Sequence, residues 1–506
     1  MTAPIPQTKK ANAEFVDILL AEKSLYHYTK QIWHLIEPKT PFLDNWHIKL
    51  LCDYLQCISE NKVIDEAYRD KFSGLSDDGR INYLLICMPP RCMKSICISI
   101  ALPTWHWTHT PGEKFICGAS NYKLAVGHST KCRRIIQNGW YQARWGEIYQ
   151  LSNDQNTKQL FQNTIQGERV SVSVDSKPTG LGGDILIADD FNDMNDINSE
   201  TIREHVLEFW NNVFSTRENN FLTSRKIIMQ QRGHAQDVAG DILSKEKDIP
   251  VTKLILKARA TEREEWYSPL TGKLIHTRET GELLWPSKMS EDYLKKQLVK
   301  LTERGFEAQF QQSPQILSGN IIKINKFRYL GEDPEPMQII MSVDTAFKTG
   351  EENDYSVCTT WYRFMHEEKE AYYLKSVLRE RLEFPKLKEK IHELAKRYKP
   401  NKLVIEDKAS GQSLIDELKQ DAYLKNIILP VNPDRDKVSR AYSITPTVEQ
   451  ELVFLPVDAH WSAVLKSELA IFPNGAHDDQ VDSFVQALQF FTGKLTDTTE
   501  PSILLL

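Results

Sequence analysis

The chain has 506 residues, a formal net charge of −6, 41% hydrophobic residues and 26% charged residues. This is ordinary globular composition, which excludes wholesale disorder and a uniformly basic DNA-coating protein while leaving room for a local basic groove. At roughly 150 residues per domain the length suggests about three domains. Apolar runs such as Leu84–Met88 fall far short of the ~18 residues of a membrane span. The opening MTAPIPQTKK has no apolar core of the kind export signals carry, so neither membrane insertion nor export is expected. Eight cysteines without a CxxC pair read as reduced thiols, and not as a disulfide framework or a zinc site.

Residues 1–75 read as helical, with the apolar-rich stretch Phe42–Ile58 at their centre. From Ile81 the texture changes. INYLLICM, EKFICGAS, RVSVSV, DILIAD and RKIIMQQ are short apolar runs separated by helical segments, the pattern of buried strands in a parallel α/β sheet. Residues 257–325 are charged and turn-rich and end in QQSPQILSGN, which reads as a connection between domains. A second series follows: MQIIMSVDTAF, YSVCTTWYRF and EAYYLKSVLRE as a meander, a helix near 385–398, KLVIEDKAS, another helix, and IILPVNP. This predicts a mixed sheet. The closing LTDTTEPSILLL reads as a flexible tail that docks on a partner. The expected divisions are 1–60, an N-terminal helical segment; 61–320 and 321–495, two α/β domains; and 496–506, the tail.

Two groups of residues carry chemistry. MPPRCMKS (Met88–Ser95) joins a strand to a helical segment, and such a loop cradles phosphates on backbone N–H groups, with Lys94 on the β/γ oxygens and Ser95 on magnesium. Lys94 and Ser95 fit the GxxxxGK[ST] pattern, whereas Met88 and Met93 stand where glycines are expected. DILIADD supplies partners: Asp189 to hold the magnesium water shell and Asp190 to orient the attacking water. KIIMQQRGH ends a third strand with Gln230, Gln231, Arg232 and His234, placed to sense the γ-phosphate.

The second group is acidic. Asp344 lies at or near the end of one apolar strand and Glu406 ends another, and Asp479 and Asp482 share a helix face. Acids gathered this way can hold two magnesium or manganese ions about 4 Å apart for phosphodiester cleavage. Asp478 is the expected helix N-cap, Asp479 the main ligand, and Asp482 a second ligand or water-orienting acid. Helical angles alone let Asp482 pair with either neighbour. The strand–meander–helix–strand–helix order resembles the RNase H-like nucleases.

Together the two groups resemble the large terminase subunit of tailed bacteriophages, over roughly residues 45–495. The matching strings are PPRCMKS, GLGGDILIADDF, QQRGHAQDVAG, LLWP, FEAQFQQSP, VDTAF, VIEDKASG, KVSRAYSITPTVEQELVFLP and FPNGAHDDQVDSF. The resemblance implies an α/β P-loop ATPase domain with a parallel-type sheet, followed by an RNase H-like nuclease. It implies ATP at Arg91, Lys94, Ser95 and Asp189, with Asp190 where a catalytic glutamate is usual. It further implies double-stranded DNA, a portal protein, a small terminase subunit and further copies in a ring on the procapsid as partners, all in the host cytoplasm. The competing readings are a repair or recombination ATPase–nuclease acting on free DNA, and a non-catalytic assembly factor.

Overall fold

The chain is described here by a computed structural model covering residues 7–176, 180–314, 321–345, 355–407, 409–432, 436–473 and 478–495. The expected tail, 496–506, lies outside the described residues. The chain divides into two compact units, Met1–Gln297 with Glu303–Ile316, and Leu298–Thr302 with Leu317–Leu506.

In the first unit three helices, Gln7–Lys23, Leu25–Ile36 and Trp46–Ser59, precede an eight-stranded sheet. Its strands are β1 (Tyr83–Cys87), β2 (Phe115–Ala119), β3 (Leu151–Asn156), β4 (Leu160–Asn163), β5 (Glu168–Ser173), β6 (Ile185–Asp189), β7 (Arg225–Met229) and β8 (Thr252–Ile255). They lie in the order β3-β4-β5-β2-β6-β7-β1-β8. From β5 to β8 every pairing is parallel. Such strands are covered on both faces, which is why β2 and β6 are buried at every position. Gly118 in β2 is there for space: a Cβ would meet the Phe191 ring at 2.5 Å.

The first sheet is the parallel-type sheet expected, and β3 and β4 add an antiparallel edge to it. LSNDQN is exposed over much of its length and lacks the apolar run that marks a buried strand. One expectation needs correction: 257–325 is not merely a turn-rich connection. It contains an antiparallel ribbon, β9 (Glu264–Tyr267) with β10 (Leu274–Arg278), and the helix Glu291–Gln309. The ribbon is mostly half-exposed, so its polarity conceals it.

The second unit has seven strands: β11 (Arg328–Leu330), β12 (Gln338–Asp344), β13 (Ser356–His366), β14 (Lys369–Glu380), β15 (Lys402–Glu406), β16 (Ile428–Val431) and β17 (Val453–Pro456), in the order β11-β17-β14-β13-β12-β15-β16. The expected meander is β12-β13-β14, antiparallel throughout. β15 joins β12 in parallel, and β16 joins β15. This is the mixed sheet expected. The β13–β14 turn sets Glu367 and Glu368 at φ +48° and +63°, the left-handed pair that a tight hairpin requires. One apolar cluster unites β12–β14 and β17 with the helices Lys437–Glu449, Ser462–Ile471 and Asp479–Phe491; another lies under the helices Phe384–Tyr398 and Ala409–Leu418.

Candidate active sites

The loop after β1 carries the first site. Its backbone is left-handed at Arg91 (φ +62°) and Met93 (φ +63°), so it takes the glycine-type turn without glycine, at about 1–2 kcal/mol per residue. Lys94 is buried and its Nζ donates to Met88 O across the loop at 2.9 Å. That bond keeps the buried ammonium satisfied. Asp189 ends β6 beneath the loop and accepts from Ser95 Oγ at 3.0 Å and Ser99 Oγ at 2.6 Å. His128 Nδ1 is 3.6 Å from the same carboxylate. Burial pushes the Asp189 carboxyl up, and both serine hydroxyls oppose that shift.

Asp190 follows at φ +51° and accepts from the Gln231 backbone N–H at 2.5 Å. Burial raises its carboxyl too; nearby Lys94 lowers it and Asp189 raises it further. β7 lies between β1 and β6, which places Gln231, just past the end of β7, at the open end of this group. A cleft of about 630 Å³ is lined there by Arg91, Met93, Lys94, Ser95, Asp190, Gln231 and, from distant parts of the first unit, Trp33, Glu37, Thr40 and Lys288.

The expected sensor residues separate. Gln231 lines the cleft, and its amide donates to Gln309 Oε1 at 2.9 Å. Arg232 does not line it. Its Nε donates to both oxygens of buried Asp237, at 3.0 Å each, and Asp237 caps the helix Val238–Ser244. Gln230 is buried and spent on the backbone of Asn192 and Gln231.

The second site is built at the ends of two neighbouring strands. Val343 pairs with Ile405 in the parallel β12–β15 register, so Asp344 and Glu406 follow side by side. The helix Asp479–Phe491 packs on β12 and β13 and brings two more acids to this edge. Burial pushes the Asp344 carboxyl up to about 8, and Asp482, Glu406 and Asp479 add to the rise while Lys437 opposes it. Two cations of the helix Lys437–Glu449 hold Asp482. Lys437 Nζ is 2.6 Å from Asp482 and 2.8 Å from Asp478; Arg440 is 3.1 Å from Asp482 and 3.5 Å from Glu406. Among the described residues no three acidic, histidine or cysteine side chains are drawn together as a ready-made metal cage.

The helix is fixed by polar bonds inside the core. Ser342 Oγ donates to Ser483 O and Ser483 Oγ to Ser342 O, both at 2.9 Å. Gln486 Nε2 reaches Ser342 Oγ and Val404 O at 3.1 Å each. The capping expectation is corrected. Asp478 stands just before the helix, but its carboxylate pairs with Lys437 and makes no cap bond. Glu468 does the capping from another helix, accepting from Gln480 N at 2.7 Å and Gln480 Nε2 at 2.6 Å.

Several residues of these sites escape the sequence reading. Ser99 lies four residues after Ser95, a helical spacing that signals a shared face. Lys437 and Arg440 stand three apart in KVSRAYS, a string whose pattern by itself assigns its cations no role. Trp33, Lys288 and Glu468 leave no local signal.

Residues 341–490 match the family model of the terminase RNaseH-like domain. This agrees with the resemblance drawn from the motifs of that half. No curated protein matches the chain. Solved structures similar to it include a large terminase from a thermophilic bacteriophage in complex with ATP-gamma-S, at 10% identity and a TM-score of 0.49 over 86% of this chain and 98% of that one. The HK97 bacteriophage large terminase is similar at 10% identity and a TM-score of 0.36, over 92% and 99%. The large terminase nuclease from thermophilic phage G20c with bound magnesium is similar at 15% identity and a TM-score of 0.27, over 34% and 98%.

Proposed function

We propose, with the terminase RNase H-like domain of residues 341–490 as the premise, that the chain is a large terminase subunit, a viral DNA-packaging motor. On this reading the first unit hydrolyses ATP to drive double-stranded DNA into a procapsid, and the second cuts concatemeric DNA with a two-metal site. The observation that carries the reading is the parallel β12–β15 register that sets Asp344 beside Glu406, with Asp482 tied to Glu406 through Arg440. Such a cluster favours divalent cations, and its donors are all hard oxygens.

In the first unit Lys94 neutralises the γ-phosphate and Arg91 adds a second cation. Ser95 and Asp189 would hold magnesium, with Ser99 fixing the far oxygen of Asp189. Asp190 orients the water, and its bond to the Gln231 N–H passes any change there to β7. In the second unit Asp344, Glu406, Asp479 and Asp482 would hold magnesium or manganese. When bound, such ions activate water and stabilise the leaving oxygen. Lys437 and Arg440 keep Asp482 in place. Portal protein, small terminase subunit and further copies in a ring on the procapsid are the partners on this reading, in the host cytoplasm.

The test is separation of activities. Lys94→Ala is expected to abolish DNA-stimulated ATP hydrolysis and packaging while metal-dependent cleavage of plasmid DNA persists, and Asp344→Ala to do the reverse for cleavage. Loss of both activities in a folded Lys94→Ala protein, or cutting undiminished in EDTA, would refute it. ATP-driven movement on free DNA without portal or procapsid would favour the repair class instead.

A further inference from the structure

Lys288 belongs to none of the phosphate-loop strings, yet it lines the same cleft as Arg91, Lys94 and Ser95. Its place is fixed by a buried anchor. Trp285 is 1% exposed, and the backbone N–H groups of Lys288 and Met289 both bond back to Trp285 O, at 3.0 and 2.7 Å. The turn lays Lys288 Nζ over the Trp285 ring, 4.6 Å from its centre. Trp285 packs edge-on against His47 of the helix Trp46–Ser59, with ring centres 4.8 Å apart. Leu284 is tied in as well, its carbonyl accepting from Asn45 Nδ2 at 2.8 Å. The segment carrying Lys288 is thus braced against the start of the helix Trp46–Ser59.

Three cations, Arg91, Lys94 and Lys288, therefore face one cleft. Two acids also line it, and both are engaged elsewhere: Glu37 lies 3.8 Å from Lys131, and Asp190 accepts from the Gln231 N–H. Burial lowers the Lys288 ammonium and the Arg91 guanidinium adds to that, while the Cys92 thiol opposes it. A ligand with several negative charges relieves the crowding of cations. Lys94 already meets the γ-phosphate in the reading above, and Lys288, on a different segment lining the same cleft, supplies a further cation to it.

We propose that Lys288 is a binding residue for the terminal phosphate of the nucleoside triphosphate, and that Leu283–Met289 thereby registers whether that phosphate is present. The inference rests on the ATP site proposed above. It gives this segment, which runs directly into the helix Glu291–Gln309, a contact that exists with a triphosphate and is lost with a diphosphate.

The test is equilibrium binding of ATP-γ-S and of ADP, each with magnesium, to the full chain and to Lys288→Ala, Lys288→Arg and Lys94→Ala. A charge-assisted contact of ordinary strength predicts that Lys288→Ala weakens ATP-γ-S binding by roughly tenfold or more, with ADP binding changed by less than about threefold. Lys288→Arg should restore most of the loss. Equal weakening of both nucleotides, or no weakening, in a variant that melts like the parent would overturn the proposal while leaving the ATP site standing. If the parent chain binds neither nucleotide, or Lys94→Ala binds both as the parent does, the ATP site itself is refuted and Lys288 with it.

Discussion

Without divalent cations Asp344 is a group whose charge the fold must suppress, and this can be measured. Its carboxyl rises from 3.8 to about 8 through burial and through Asp482, Glu406 and Asp479. Between pH 4 and 8 the folded state therefore binds more protons than the unfolded one, so stability falls as pH rises through that window and levels off above it. At pH 7 roughly three units of the shift are in force, and at about 1.4 kcal/mol per unit the ceiling is about 4 kcal/mol. Relaxation of the neighbouring acids reduces this to about 2–4 kcal/mol. Asp344→Asn removes the ionisation and keeps the shape. The variant is expected to be more stable than the parent in EDTA at pH 8, to lose that advantage near pH 4, and to cut no DNA. Denaturant titrations of both proteins at pH 4.5, 6 and 8 in EDTA, with plasmid cleavage in magnesium, decide the matter. An Asn variant whose advantage over the parent is no larger at pH 8 than at pH 4.5 would refute the electrostatic account of the cluster.

Ser99→Ala leaves one Asp189 oxygen without its 2.6 Å donor; a stability loss of about 1–3 kcal/mol and slower ATP turnover with retained nucleotide binding are expected, read by melting and single-turnover assays. Among Asp478→Asn, Asp479→Asn and Asp482→Asn, the first should be mildest for metal-dependent cleavage, since Asp478 is spent on Lys437 at the margin of the cluster; an Asp478→Asn variant as damaged as Asp482→Asn would contradict this. Glu468→Ala removes both Gln480 bonds and the 3.5 Å ion pair with Arg379, and losing hydrogen bonds to a charged group costs about 1.5–3 kcal/mol. Glu468→Gln should keep much of the cap, so cleavage at limiting manganese should fall further in the alanine variant than in the glutamine one.

The strands legible in the sequence are those buried on both faces. DILIAD and FICGA announce themselves because nothing polar interrupts them, and their loops then have to carry the chemistry. LSNDQN and the β9–β10 ribbon stay hidden for the converse reason: half-exposed strands carry polar residues that imitate turns. The same division runs through the sites. Lys94 with Ser95, and Asp189 with Asp190, are adjacent in the chain, and the parallel sheet needs only to bring two strand ends together. Trp33 and Lys288 meet the loop Met88–Ser95 only through the fold, and the cap that Glu468 supplies to Gln480 likewise arises only there. Asp478 shows the limit of local reasoning, since its position before the helix is readable but the lysine that claims its carboxylate lies 41 residues away.

The reciprocal serine pair between β12 and the helix Asp479–Phe491 acts as an indexing pin. A slide by one helical residue, about 1.5 Å, would misalign Ser483 from Ser342 and Gln486 from Val404 together, stranding several polar groups in an apolar interior. The helix has therefore one permitted setting on the sheet, and the acids at its mouth inherit it. Substitutions deep in this layer, far from any DNA, would be felt first as mis-set carboxylates and only later as lost fold.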